Sequence, residues 1–155
     1  MRFSRVLLGI GVAAAGGLVV FGLMVWRSVT VEQASPDEAL DRFMVVRSKF
    51  AGTEPILHVD PNGRVVRSKE APTHGPAAKS LRVLAYRVPE GRLAQAKVAL
   101  WFLKIKGPAV RYSVRGTGFD LDRLAISADD LARYGPSLVF DETAANGGRL
   151  LVWTE

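Results

Sequence analysis

Three rhythms of apolar and polar positions follow one another along this chain. The first has no polar beat: Val6 to Trp26 (VLLGIGVAAAGGLVVFGLMVW) passes 21 positions without a charge. As a helix rising about 1.5 Å per residue it is about 31 Å long, the thickness of a bilayer's hydrocarbon core. A lone segment crosses lipid only as a helix, which closes its own backbone hydrogen bonds. The run exceeds the apolar core of a cleaved signal peptide, roughly 7–15 residues. Glu32 also spoils a small-x-small cleavage site ending at Ala34. Residues 1–27 are therefore read as a basic tail and an uncleaved transmembrane signal anchor, 28–34 as a linker, and 35–155 as a soluble domain.

The second rhythm is helical. Ser35-Pro36-Asp37-Glu38 supplies a cap, a first-position proline and a capping-box acid. Leu40, Phe43, Val46 and Phe50 follow at helical spacing, and Gly52 offers a stop, which predicts a helix over 36–51 with its Leu/Phe stripe on a sheet.

The third rhythm is short and mostly period two. Residues 55–59 and 65–67 flank Pro61-Asn62-Gly63 as a hairpin. Residues 68–80 read as a Pro/Gly loop. Leu81 to Val88 is apolar on both faces and belongs at a sheet's centre. After Pro89-Glu90-Gly91 the chain returns over 92–100, with Ala94, Ala96, Val98 and Leu100 on one face and Gln95 and Lys97 on the other. Val110 to Val114 reads as a strand, Ser127-Ala128-Asp129-Asp130 as the start of a short helix closed by Gly135-Pro136, and 138–141 with 149–154 as a last hairpin. The fold class expected is α+β: a transmembrane helix, then a small domain with a mostly antiparallel sheet and two helices.

Charge adds topology. Arg2 and Arg5 precede the anchor, and after Arg27 no base follows until Arg42. The positive-inside rule then places the N-terminus in the cytoplasm and the domain outside the inner membrane. Lys and Arg outnumber Asp and Glu 12 to 3 over residues 56–118, and the acids lead 7 to 3 over 119–155. These are solvated, partly paired faces, or a basic surface facing lipid headgroups, an anionic envelope polymer or a protein partner. Arginine exceeds lysine 15 to 6 in a chain rich in Ala, Gly and Val, a composition that fits a GC-rich bacterium. With no cysteine, neither disulfides nor thiolate metal sites are available.

Motifs for nucleotide binding, serine hydrolysis or zinc proteolysis are missing. Gly116-Thr117-Gly118 lacks the third glycine of a dinucleotide loop. His58 and Asp60 share a strand face but have no third ligand at a recognisable spacing, and His74 stands alone in the loop. Asp120 and Asp122 are interrupted by Leu121, Asp129 and Asp130 fit a helix start better than calcium, and Asp141 and Glu142 read as hairpin-end solvation. No catalytic residue, cofactor or metal is assigned.

Two stretches are candidates for interaction. Trp101, Phe102, Lys104 and Lys106 combine large apolar groups with cations, the mix of a surface that meets headgroups or a partner groove, set against a place in the core. Gly9, Ala13 and Gly17 form a small-residue stripe on the anchor through which two copies can pack as a homodimer. The function expected is that of a single-pass membrane protein with a non-enzymatic binding or organising domain at the membrane surface. The alternative is a membrane-tethered envelope hydrolase using His58, Asp60 or the Asp120/Asp122 pair. Nucleic acid is disfavoured, because the basic segment lacks an aromatic-plus-glycine signature.

Overall fold

The computed structural model of the protein describes residues 29–68, 76–103 and 126–155. The apolar run with its Gly9/Ala13/Gly17 stripe, His74, Lys104, Lys106, the strand expected over 110–114, and Asp120 and Asp122 lie outside them. Among the described residues no helix is long and apolar enough to cross a membrane.

Among the described residues, seven strands and three helices follow in order: β1 (Val29–Gln33), α1 (Pro36–Ser48), β2 (Leu57–Val59), β3 (Val65–Arg67), β4 (Ser80–Arg87), β5 (Arg92–Ala99), the single turn α2 (Leu100–Leu103), α3 (Ala128–Tyr134), β6 (Leu138–Thr143) and β7 (Arg149–Thr154). Five strands make one antiparallel sheet in the order β1-β5-β4-β7-β6, and β2 and β3 form a separate hairpin. The α+β domain expected from the sequence is present.

β4 is central because both of its faces are covered. Val83 and Ala85, with Ala94, Ala96 and Val98 of β5 and Leu150 and Val152 of β7, belong to a core shared with the β2–β3 hairpin, α2 and α3. Leu84 and Tyr86 alternate to the other face and join Leu93, Leu151 and Trp153 under Ala39 and Phe43 of α1. One strand thus feeds two cores, which is why its sequence shows no polar alternation. The turn between β4 and β5 is a 3₁₀ step over Val88–Glu90 that ends on Gly91 at φ 57°. Arg87 and Arg92 sit directly across that turn. Glu90 lies between the two guanidiniums, at 3.3 Å and 3.7 Å, and offsets a repulsion that opposed like charges would create.

Two expectations need correction. Residues 29–33, read as linker, form β1, an edge strand in register from Val29↔Ala96 to Gln33↔Arg92. The alternation Val29, Val31 inward and Thr30, Glu32 outward is present in the sequence but short. In α1 the capping box forms as expected, Glu38 N donating to Ser35 Oγ and Ser35 N to Glu38 Oε2. Its buried positions, however, are Ala39 and Phe43, with Val46 and Phe50 packed beside them, while Leu40 is 46% exposed. The apolar arc of this helix is wider than one face, and the small Ala39 lies within the buried part of it. The helix ends at Ser48, where Arg47 Nη1 donates to the Thr53 carbonyl at 2.9 Å and Arg47 Nε pairs with Asp141 at 3.1 Å.

A candidate interaction surface at the foot of the sheet

Strand register brings several features to one end of the sheet. β1 starts at Val29, opposite Ala96, so β5 runs three residues further past that point before it ends at Ala99. β4 begins here, with Ser80 opposite Ala99, and β7 finishes here, with Thr154 opposite Leu81. We call this end the foot. It is the end at which β1 has its first residue, Val29.

Leu100 seals the foot. Its amide donates to the Lys79 carbonyl at 2.9 Å and its side chain is buried with Ala78 and Leu131. Since Leu100 and Leu103 both turn to this core, a single helical turn carries Trp101 to the outside. Trp101 is 61% exposed, although tryptophan is usually well buried. Beside it runs a shallow groove of about 490 Å³, walled by Ala99, Leu100, Ala128 and Ala132 and edged by Lys79 and Asp129. The groove is therefore lined mostly by apolar groups, with one cation and one acid among them. Of the four residues expected to act together, Trp101 is at this surface; the structure describes no side chain for Phe102.

Further cations line the foot on the α1 side. Arg82 and Lys97 are cross-strand neighbours, and both reach Glu155, at 2.6 Å and 3.2 Å. Burial pushes the Glu155 carboxyl up, but hydrogen bonds from Arg82 and Lys97 outweigh it and hold the group below its ordinary value. Such part-exposed pairs add little stability. They set two cations beside one carboxylate at the foot.

The acid–base candidates serve local structure. His58 Nδ1 bonds Ser68 Oγ at 2.8 Å across the hairpin. Asp60 accepts from the Arg64 and Asn62 amides at 2.8 Å and 2.9 Å, and the Arg64 amide above all holds its carboxyl below the ordinary value. His58 and Asp60 are thus not joined to each other. Asp130 is held low first by Arg133, then by the Ser127 hydroxyl that caps α3, and it also meets Arg67 at 3.4 Å. Asp141 and Glu142, expected as solvation, are structural instead. Asp141 ties Arg47 to Arg149, and Glu142 Oε1 accepts from the Val59 amide at 3.3 Å, fastening the hairpin to β6. Among the described residues, no group of three His, Asp or Glu side chains is placed to hold a metal ion.

Two features escape sequence reasoning. Lys79 ends a loop that carries no periodicity, so nothing in the sequence sets it beside Trp101. The outer face of α1, with Leu40, Met44 and Val45 at 46%, 60% and 62% exposure, was legible only as the excess width of the apolar arc. Comparison with protein-family models, with curated proteins and with solved structures finds no match to this chain.

Proposed function

We propose that this is a single-pass membrane protein whose α+β domain is a non-enzymatic binding or organising module working against the membrane surface. The observation that supports it most is the position of β1. The edge strand is already paired at Val29, the first described residue and only three residues after Trp26, the last residue of the apolar run. Three residues span at most about 10 Å. A domain whose own sheet starts that close to the lipid has no slack to reach away from it. An exposed tryptophan and a set of cations at the same end fit lipid headgroups as the partner. The hydrolase reading draws no support from His58 and Asp60, which are occupied by their own hairpin.

The test is sedimentation of the domain with vesicles. The fragment should begin at Ser28, since one beginning at Ser35 would lack the edge strand. Vesicles containing phosphatidylglycerol are expected to retain it, and retention should fall as salt shortens the screening length from about 30 Å at 0.01 M to about 8 Å at 0.15 M. No retention by these vesicles, or retention indifferent to salt, would remove the anionic-lipid version and leave a protein partner.

A further inference from the structure

We infer that the foot of the sheet is seated in the bilayer interface, with Trp101 as its membrane-contacting side chain and Lys79, Arg82 and Lys97 facing anionic lipid headgroups. This rests on the reading of 6–26 as a membrane anchor and goes beyond it by fixing which surface meets the lipid.

The inference is one of levels along the strands. Trp26 can lie no more than about 10 Å from Val29, by chain length alone. Ala99 lies three strand residues beyond Ala96, the partner of Val29, which is again about 10 Å. The end of β5 therefore reaches at least as deep as the end of the anchor when the sheet stands upright on the membrane, and α2 with Trp101 follows directly on it. Trp101 is the side chain at this level with the chemistry of the interface, an apolar ring with one polar N–H, and most of it is uncovered. The groove beside it is mostly apolar, which suits the boundary between headgroups and acyl chains, and Lys79 is among the residues that line it. Asp129, which also lines the groove, and Glu155 between Arg82 and Lys97 temper the positive charge, so the contact is led by the indole and aided by the cations. The exposed apolar face of α1 offers no such argument, because nothing sets its level relative to the anchor.

The chain has three tryptophans, Trp26, Trp101 and Trp153, and Trp153 is 5% exposed within the α1 core. This permits a measurement on the full-length protein in vesicles of phosphatidylcholine and phosphatidylglycerol whose acyl chains carry bromine, a short-range quencher of indole emission. The W26F protein retains Trp101 and Trp153; the W26F/W101F protein retains Trp153 alone. The expected result is that brominated lipid removes about half of the emission of the first, the share of one indole of two, and scarcely affects the second. Flotation of the same samples reports on the anchor. Chains that float with an unquenched Trp101 would overturn the seating and leave the anchor reading intact. Chains that do not float would overturn both. If floating chains with an unquenched Trp101 also cross-link to one another through Lys79→Cys, a second copy covers the groove in place of lipid, and the inference fails.

Discussion

Phe43→Ala is expected to cost the domain about 3–5 kcal/mol, the range for removing a fully buried aromatic ring. Phe43 is 1% exposed and, with Ala39, is one of the two residues that α1 buries completely. It fills the centre of the core formed with Leu84, Tyr86, Leu93, Leu151 and Trp153. Its ring also lies under the Arg149 guanidinium, 4.7 Å from the ring centroid, a contact worth about 0.5–2 kcal/mol. Arg149 in turn meets Asp141, which Arg47 of α1 shares. Losing the ring therefore empties a cavity and exposes one side of a charge cluster whose Asp141 is mostly covered. Urea unfolding of the domain from Ser28 onward measures the loss. Leu40→Ala, one turn earlier on the outer side of the same helix, is expected to cost less than about 1 kcal/mol, as exposed substitutions do. Equal losses at the two positions would mean that α1 is packed in a different rotational phase.

Gly135→Ala is expected to cost about 3 kcal/mol. Gly135 has φ 67° and ψ −162°, a region of backbone space that is essentially reserved for glycine and costs another residue about 1–3 kcal/mol. A methyl group there would also come within 2.6 Å of the Pro76 carbonyl oxygen, a backbone atom that cannot swing aside like a side chain. The Gly135 carbonyl accepts from the buried Thr154 hydroxyl, so a shift at this turn is transmitted to the end of β7. Gly63→Ala provides the comparison. It also has a positive φ, of 75°, but nothing lies within 4 Å of its added methyl, so about 1 kcal/mol of backbone strain is expected there. Thermal unfolding of the two variants separates strain alone from strain plus collision, and equal midpoints would show that Pro76 yields.

The parts of this fold legible in the sequence are those where one local signal decides. Ser35 and Glu38 form a capping box because their spacing permits nothing better, Gly91 and Gly135-Pro136 end elements that cannot continue through them, and β5 alternates because its two faces differ in burial. The misses occur where two signals compete. Residues 29–33 hold a proper alternation but only five positions of it, next to an apolar run that dominates the reading. In α1 and just after it, six apolar side chains from Leu40 to Phe50 leave the rotational phase undetermined, and the residues the helix buries are Phe43 and the small Ala39, the latter not part of the Leu/Phe stripe. The stretch beginning at Trp101 weighs toward the core by residue type, whereas a single turn of helix buries Leu100 and Leu103 and turns Trp101 out. For the site, the chemistry of Trp101 was visible in the sequence. Its neighbours Lys79, Ala128 and Ala132 were not, since they are joined to it only by strand order and by the packing of α3.

Topology tests the proposal most directly. The chain has no cysteine, so one placed at Ala145 would be its only thiol. This exposed position in the β6–β7 turn is preferable to Asn146, whose side-chain oxygen accepts from the Gly148 amide at 2.8 Å. Intact cells are treated with a membrane-impermeant maleimide, and their membranes are then washed in alkaline carbonate. A protein that is labelled in intact cells and stays with the washed membranes is the predicted result. A protein that the wash releases would contradict the anchor and with it the surface-bound domain; one that stays but is labelled only after lysis would place the same domain on the cytoplasmic face.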